Sequence, residues 1–163
     1  MVTTWGNGNP RFSQVTSLQF ANSHDSALLI SGADDGSVRV WQGGEGKKGE
    51  PSLVTGWHLA PELVPQSLSG GRVSVGLVMA WDQRGGLLAG AGDLKNVRLW
   101  DCTAETKLSD LPTASESFVT CVDLGWEGSK SVLAASFGDG SVRLFDARAA
   151  PGQARYSLIF SSF

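Results

Sequence analysis

Cysteine, histidine and charge are all scarce in this chain. Two cysteines, two histidines and one tyrosine stand among 163 residues, and 18% of the residues are charged. Cys102 and Cys121 have neither metal-ligand nor redox spacing. With only His24 and His58 beside them, a closed zinc site would need carboxylates to help, so no metal is expected. Scarce thiols suit a reducing compartment, and Cys121 reads as a small buried hydrophobe within Phe118-Val119-Thr120-Cys121-Val122. No run approaches the roughly 20 apolar residues of a membrane helix. Met1-Val2-Thr3-Thr4-Trp5 lacks the basic and apolar regions of a signal peptide. A net charge of −3 gives no basic footprint for nucleic acid. A cytoplasmic, soluble protein is the expectation.

The nucleotide and catalytic motifs also fail. Gly46-Lys47 lacks the upstream glycine, because Trp41 stands there, and lacks the following Ser or Thr, because Lys48 does. Gly6-Asn7-Gly8 lacks the third glycine and the helix of a dinucleotide loop. Lys47-Lys48 reads as a solvated turn, and His24-Asp25 as part of a polar turn. Nothing resembles a nucleophile elbow. Most acidic residues (Asp34, Asp35, Asp93, Asp139) fall at hairpin turns, so neither catalytic nor cofactor-binding residues are assigned.

What the chain has in abundance is glycine, 21 residues, and a repeat. Ser37-Val38-Arg39-Val40-Trp41 returns as Asn96-Val97-Arg98-Leu99-Trp100-Asp101 and as Ser141-Val142-Arg143-Leu144-Phe145-Asp146. The aromatic positions lie 59 and 45 residues apart. Short β-type runs and turn residues precede each copy. Asp35-Gly36 and Asp139-Gly140 open the first and third, since glycine takes the positive φ such hairpins need. A repeat of about 40–45 residues ending in Trp-Asp, with four strands each, is the signature of a WD-repeat β-propeller.

The all-β reading therefore gives a partial propeller of about three blades, approximately 11–57, 73–111 and 115–160. Expected strands in the first are Val15–Phe20, Ala27–Ser31, Val38–Trp41 and Leu53–Trp57. The second has Gly76–Trp81, Leu87–Gly90, Val97–Trp100 and Thr106–Leu111, with Asp93-Leu94-Lys95 breaking the Asp-Gly pattern. The third has Phe118–Leu124, Ser131–Phe137 and Val142–Phe145. Tyr156–Phe160 is one more strand, expected to have nothing to pair with. Asp35, Gly36, Trp41, Asp93, Trp100, Asp101, Asp139, Gly140, Phe145 and Asp146 form the blade framework. Arg39, Arg98 and Arg143 recur at the repeat period and are expected at a solvated rim. Partner-facing residues should be the irregular ones: the insertion 58–72, holding Pro61, Pro65 and Gly70-Gly71. Trp57, His58 and Glu62 are its candidate contacts. Packing of Trp57 on the next blade is the competing reading.

Further segments fall in register with one family. Trp5-Gly6-Asn7-Gly8-Asn9-Pro10 precedes Val15-Thr16-Ser17-Leu18 and Asp34-Asp35-Gly36-Ser37-Val38-Arg39-Val40-Trp41. Leu53-Val54-Thr55-Gly56-Trp57, then Gly92 to Asp101 with its aberrant turn, then Gly138 to Asp146 follow. From Trp5 to Arg148 this order resembles the C-terminal propeller of the Raptor family. The resemblance implies a non-enzymatic scaffold of TOR complex 1, with TOR kinase and the other complex subunits as partners. It implies a part in nutrient-responsive growth control and restraint of autophagy, and recruitment to the lysosomal or vacuolar surface. The family's protease-like domain and helical repeats have no counterpart here, nor has the Gly-His pair usual in WD repeats. A WD module of another scaffold, such as a ubiquitin-ligase receptor or trafficking coat, is the alternative. A propeller hydrolase is the alternative from another class. The chain reads as part of a longer polypeptide, and an open arc of blades is expected to self-associate through bare apolar faces.

Overall fold

The computed structural model describes residues 13–22, 27–43, 49–65, 74–128, 130–147 and 159–161. The expectations for Trp5 to Pro10, His24-Asp25, Lys47-Lys48 and positions 66–72, with Gly70-Gly71, lie outside them.

The described strands form three antiparallel four-stranded sheets, each with its strands in chain order. The first holds β1 (Val15–Ala21), β2 (Leu28–Ala33), β3 (Ser37–Gln42) and β4 (Ser52–His58). The second holds β5 (Leu77–Asp82), β6 (Leu87–Gly92), β7 (Asn96–Asp101) and β8 (Thr106–Pro112). The third holds β9 (Val119–Glu127), β10 (Lys130–Phe137), β11 (Ser141–Asp146) and β12 (Ile159–Ser161). Strand β5 packs against both β1 and β9, so the first strands converge and each sheet is a wedge. This is a partial β-propeller. The last strand differs from expectation, since Ile159, Phe160 and Ser161 pair with Arg143, Val142 and Ser141.

Two apolar layers hold the wedges together. Ile30, Val38, Leu77, Met79 and Leu88 fill the joint between the first and second sheets. Ala89, Val97, Leu99, Leu133 and Phe145 fill the joint between the second and third. The middle sheet is thus covered on both faces at its inner strands, and β5 and β6 read as near-continuous apolar runs. Small residues permit the close approach. A Cβ on Gly32 would lie 2.8 Å from the Met79 side chain, and one on Gly90 would lie 2.2 Å from Leu59.

Polar side chains seal the first joint where β5 turns an unpaired edge inward. Thr16 Oγ1 donates to Leu77 O at 2.8 Å and accepts from Leu77 N–H at 3.1 Å. Ser17 Oγ accepts from Met79 N–H at 3.1 Å, and Gln19 Nε2 donates to Met79 O at 3.0 Å. The edge groups of β5 are capped by side chains of the neighbouring sheet. An unpaired buried backbone group would otherwise cost about 1–3 kcal/mol.

Candidate interaction surface

In the first two sheets the turn between the second and third strands and the segment leading to the next sheet lie at the same end. The four turn aspartates share that end but occupy two different positions. Asp34 Oδ1 accepts from Gln14 N–H at 2.9 Å, ahead of β1. Asp93 does the same ahead of β5, accepting from Gly76 N–H at 3.0 Å. Asp35 and Asp139 sit one residue later and accept from Ser37 and Ser141 N–H, each at 2.9 Å. In the middle sheet Leu94, buried in the core, takes that later position. Gly36 adopts φ +76°, as does Gly140 at +84°. A Cβ on Gly36 would lie 1.8 Å from Ala60 O, which no ordinary side chain tolerates.

The opposite end has its own ties. Asp101 Oδ1 accepts from Thr103 and Ala104 N–H at 2.8 and 2.9 Å, closing the β7–β8 turn. Asp82 accepts from Trp126 Nε1–H at 3.0 Å, joining the second and third sheets. The Arg84 guanidinium lies 4.3 Å from the centre of the Trp126 ring. Phe145 is buried in the second joint, Trp41 is half-buried, and Asp146 ends β11 exposed.

Arg98 and Arg143 overturn the expectation of a solvated rim, while Arg39 donates to Ser37 Oγ on its own strand. Arg98 is 11% exposed, with Nε and Nη2 on Asp110 at 2.8 and 3.2 Å. Its Nη2 reaches Glu62 at 2.9 Å, and Nη1 donates to Leu59 O at 2.8 Å. Leu59 follows the last strand of the first sheet, so Arg98 latches one sheet to the next. Arg143 repeats the latch by donating to Thr113 O, which follows β8. Register explains the burial. Arg98 stands opposite Asp110 across the β7–β8 pair, and the acid neutralises it in place. Hydrogen bonds from Arg98 hold the Asp110 carboxyl below the usual carboxylate range. Partial burial raises Glu62, but its bonds to Arg98 outweigh that and hold it low as well.

Trp57 stacks on Trp100, ring centres 5.7 Å apart and planes 24° from parallel, and so packs on the next sheet. Its Nε1 is buried without a hydrogen-bond acceptor among the described residues. His58 is exposed, and Glu62 is half-exposed while held by Arg98. The loop brings forward a residue the sequence reading did not single out: Val64, 57% exposed. Lys95 and Glu116 form an exposed ion pair at 3.0 Å at the same end. His58, Pro61, Glu62 and Val64 therefore make a mixed apolar and polar ridge suited to protein contact.

One expectation for cysteine changes. Cys121 is exposed, because a register shift at Thr120 turns it to the outer face of the third sheet. Cys102 is half-buried, and burial followed by the Asp101 charge pushes its thiol up to about 11. Among the described residues no group of three His, Cys, Asp or Glu side chains could hold a metal ion.

The WD domain, G-beta repeat family matches residues 5–42 and 106–146, on either side of the aberrant middle turn. The raptor homolog of Dictyostelium discoideum is 33% identical over 97% of this chain, which spans 10% of that protein. The target of rapamycin complex 1 subunit mip1 of Schizosaccharomyces pombe is 34% identical over 82% of the chain, again 10% of the relative. The crystal structure of Chaetomium thermophilum Raptor superposes with a TM-score of 0.72 at 28% identity, covering 97% of this chain and 13% of that one. The chain therefore spans about a tenth of the length of the curated relatives it matches. Sequence and fold agree on one family: the chain is a partial WD-repeat β-propeller of the Raptor type.

Proposed function

We propose that this chain is a non-catalytic protein-interaction module of a Raptor-type scaffold, working in TOR complex 1. The observation that carries the reading is likeness over 97% of the chain to a raptor homolog, with a fold that superposes on Raptor at a TM-score of 0.72. The surface chemistry supports it. Among the described residues, Asp34, Asp35, Asp93, Asp101 and Asp139 serve in turns, and Arg98 and Arg143 serve as latches. The His58–Val64 ridge projects beside them with an uncovered apolar side chain. TOR kinase and its companion subunits are the partners, met in the cytoplasm or at the lysosomal or vacuolar surface. The role is nutrient-responsive growth control, with restraint of autophagy.

The test is affinity capture of the tagged chain from cells, with companions identified by mass spectrometry. Recovery of TOR kinase with the wild type, reduced by Val64→Asp, is expected. Equal recovery with both would remove the ridge from the contact, and no recovery with either would overturn the complex assignment.

A further inference from the structure

Arg98 does more than join two sheets, because the segment it grips is the ridge itself. Every nitrogen of its guanidinium is engaged. Nε and Nη2 donate to Asp110 on its own sheet at 2.8 and 3.2 Å. Nη1 donates to Leu59 O at 2.8 Å and to Glu62 Oε2 at 3.1 Å, and Nη2 lies 2.9 Å from Glu62 Oε1. Leu59 and Glu62 border a tight turn in which Leu63 N–H donates to Ala60 O at 3.1 Å. Pro61 takes the second position of that turn, where its fixed φ is favoured. From the other side, Gly36 O accepts from Leu59 and Ala60 N–H at 3.0 and 3.2 Å. The turn is held on both flanks, and Pro61 and Val64 stand exposed.

The second joint supplies an internal comparison. Thr113 stands where Leu59 does: its N–H donates to Lys95 O at 3.3 Å, and Arg143 grips its carbonyl. Glu116, three residues on, is therefore the counterpart of Glu62. Yet the Glu116 carboxylate turns outward onto Lys95 at 3.0 Å, with its side chain fully exposed. Lys95 stands where the first sheet has Gly36, immediately before the third strand. Gly36 offers no cation, so the Glu62 carboxylate turns to Arg98 and its side chain is 48% exposed. Lys107 reaches Asp110 at 3.1 Å, which sets two cations against two acids. The charge of the ridge is thus neutralised within the molecule.

We propose, resting on the reading of the ridge as the partner contact, that Arg98 and Glu62 are positioning residues, and that the partner receives Pro61 and Val64 in an uncharged apolar pocket. The Glu62 carboxylate acts as a strut for the turn. A basic partner surface would have to take that carboxylate from a guanidinium that already satisfies it. An apolar pocket needs only the projecting valine and the proline ring. A turn ordered beforehand also binds without the entropy loss of ordering it on contact.

Two measurements on the full chain test this, one without a partner and one with it. Amide exchange read by NMR tests the strut alone. Glu62→Ala leaves the Arg98–Asp110 pair in place. It should speed exchange of the Leu63 N–H about tenfold and leave that of Leu133, buried in the third sheet, unchanged. Unaltered exchange at Leu63 would overturn the strut. Binding to purified TOR complex components at about 50 and 500 mM NaCl tests the pocket. Glu62→Gln keeps an oxygen for Arg98 but removes the charge, and its affinity should respond to salt as the wild type's does. Glu62→Ala should bind about fivefold more weakly than wild type, because a smaller fraction of the chain holds the ordered turn. A wild-type salt dependence that Glu62→Gln flattens would reveal a basic surface gripping the carboxylate and overturn the pocket. No binding by the wild type would refute the ridge reading and the pocket with it, while the exchange result still decides the strut.

Discussion

Arg98 carries a charge into the joint between two sheets and neutralises it there against Asp110 and Glu62. Removing it takes the cation from Glu62, leaves Asp110 with Lys107 alone, and frees the Leu59 carbonyl. Arg98→Ala should therefore cost about 2–4 kcal/mol in a urea unfolding titration. Arg98→Lys should recover only part of that, because an ammonium cannot make the two-pronged contact. The Asp110 carboxyl is held below its ordinary value of 3.8. A depressed carboxyl stabilises the fold fully above its unfolded pKa and loses that contribution as pH falls through the lower folded one. The melting temperature should thus drop below about pH 4, and Asp110→Asn should show a shallower drop over the same range. Gly36 makes a sharper contrast. Gly36→Ala forces a Cβ onto Ala60 O at positive φ and should cost more than about 1 kcal/mol. Gly43→Ala, with nothing within 4 Å, should be neutral in the same titration. The need for Gly36 was readable from Asp35-Gly36. The burial of Arg98 was not, because a repeat period tells which positions are equivalent and not which face is covered. The one available signal was Asp110, an acid twelve residues on, which a hairpin register places opposite Arg98.

At the scale of strands, alternation and turn chemistry located the elements to within a residue or two at most ends. Val15–Phe20 became Val15–Ala21, and Thr106–Leu111 became Thr106–Pro112. The misses have physical causes. Cys121 lies in an apolar run, and the register shift at Thr120 that exposes it leaves no mark in composition. The final strand found its partner in β11, whose outer edge is free to accept a short pairing. Asp93 belongs with Asp34, not with Asp35 and Asp139, because in the middle turn Leu94 is drawn into the core. The polar residues of β1 read as simple alternation, yet they cap the edge of another sheet. Thr16→Val would strip both bonds to Leu77 while keeping the shape. A loss of about 1–2 kcal/mol in thermal or urea unfolding is expected, whereas Thr106→Val on an exposed strand position should be neutral.

For the whole molecule, three wedges joined by apolar layers and repeated latches should unfold as one unit, since each sheet buries one face only by touching its neighbour. Leu99→Ala in the second joint should lower stability by about 2–5 kcal/mol and shift fluorescence and circular dichroism transitions together. The propeller architecture was legible because the repeat is written three times. The exposed His58–Val64 ridge was legible only as an irregular segment. Trp57 turned inward onto Trp100, and Val64 emerged at the surface, as only the packing could show. The most direct test of the scaffold role is a binding titration of the purified chain against purified TOR complex components, wild type beside Val64→Asp. Saturable binding that the substitution weakens at least about tenfold, or 1.4 kcal/mol, is the predicted result. Absence of binding by a correctly folded wild-type chain would contradict it.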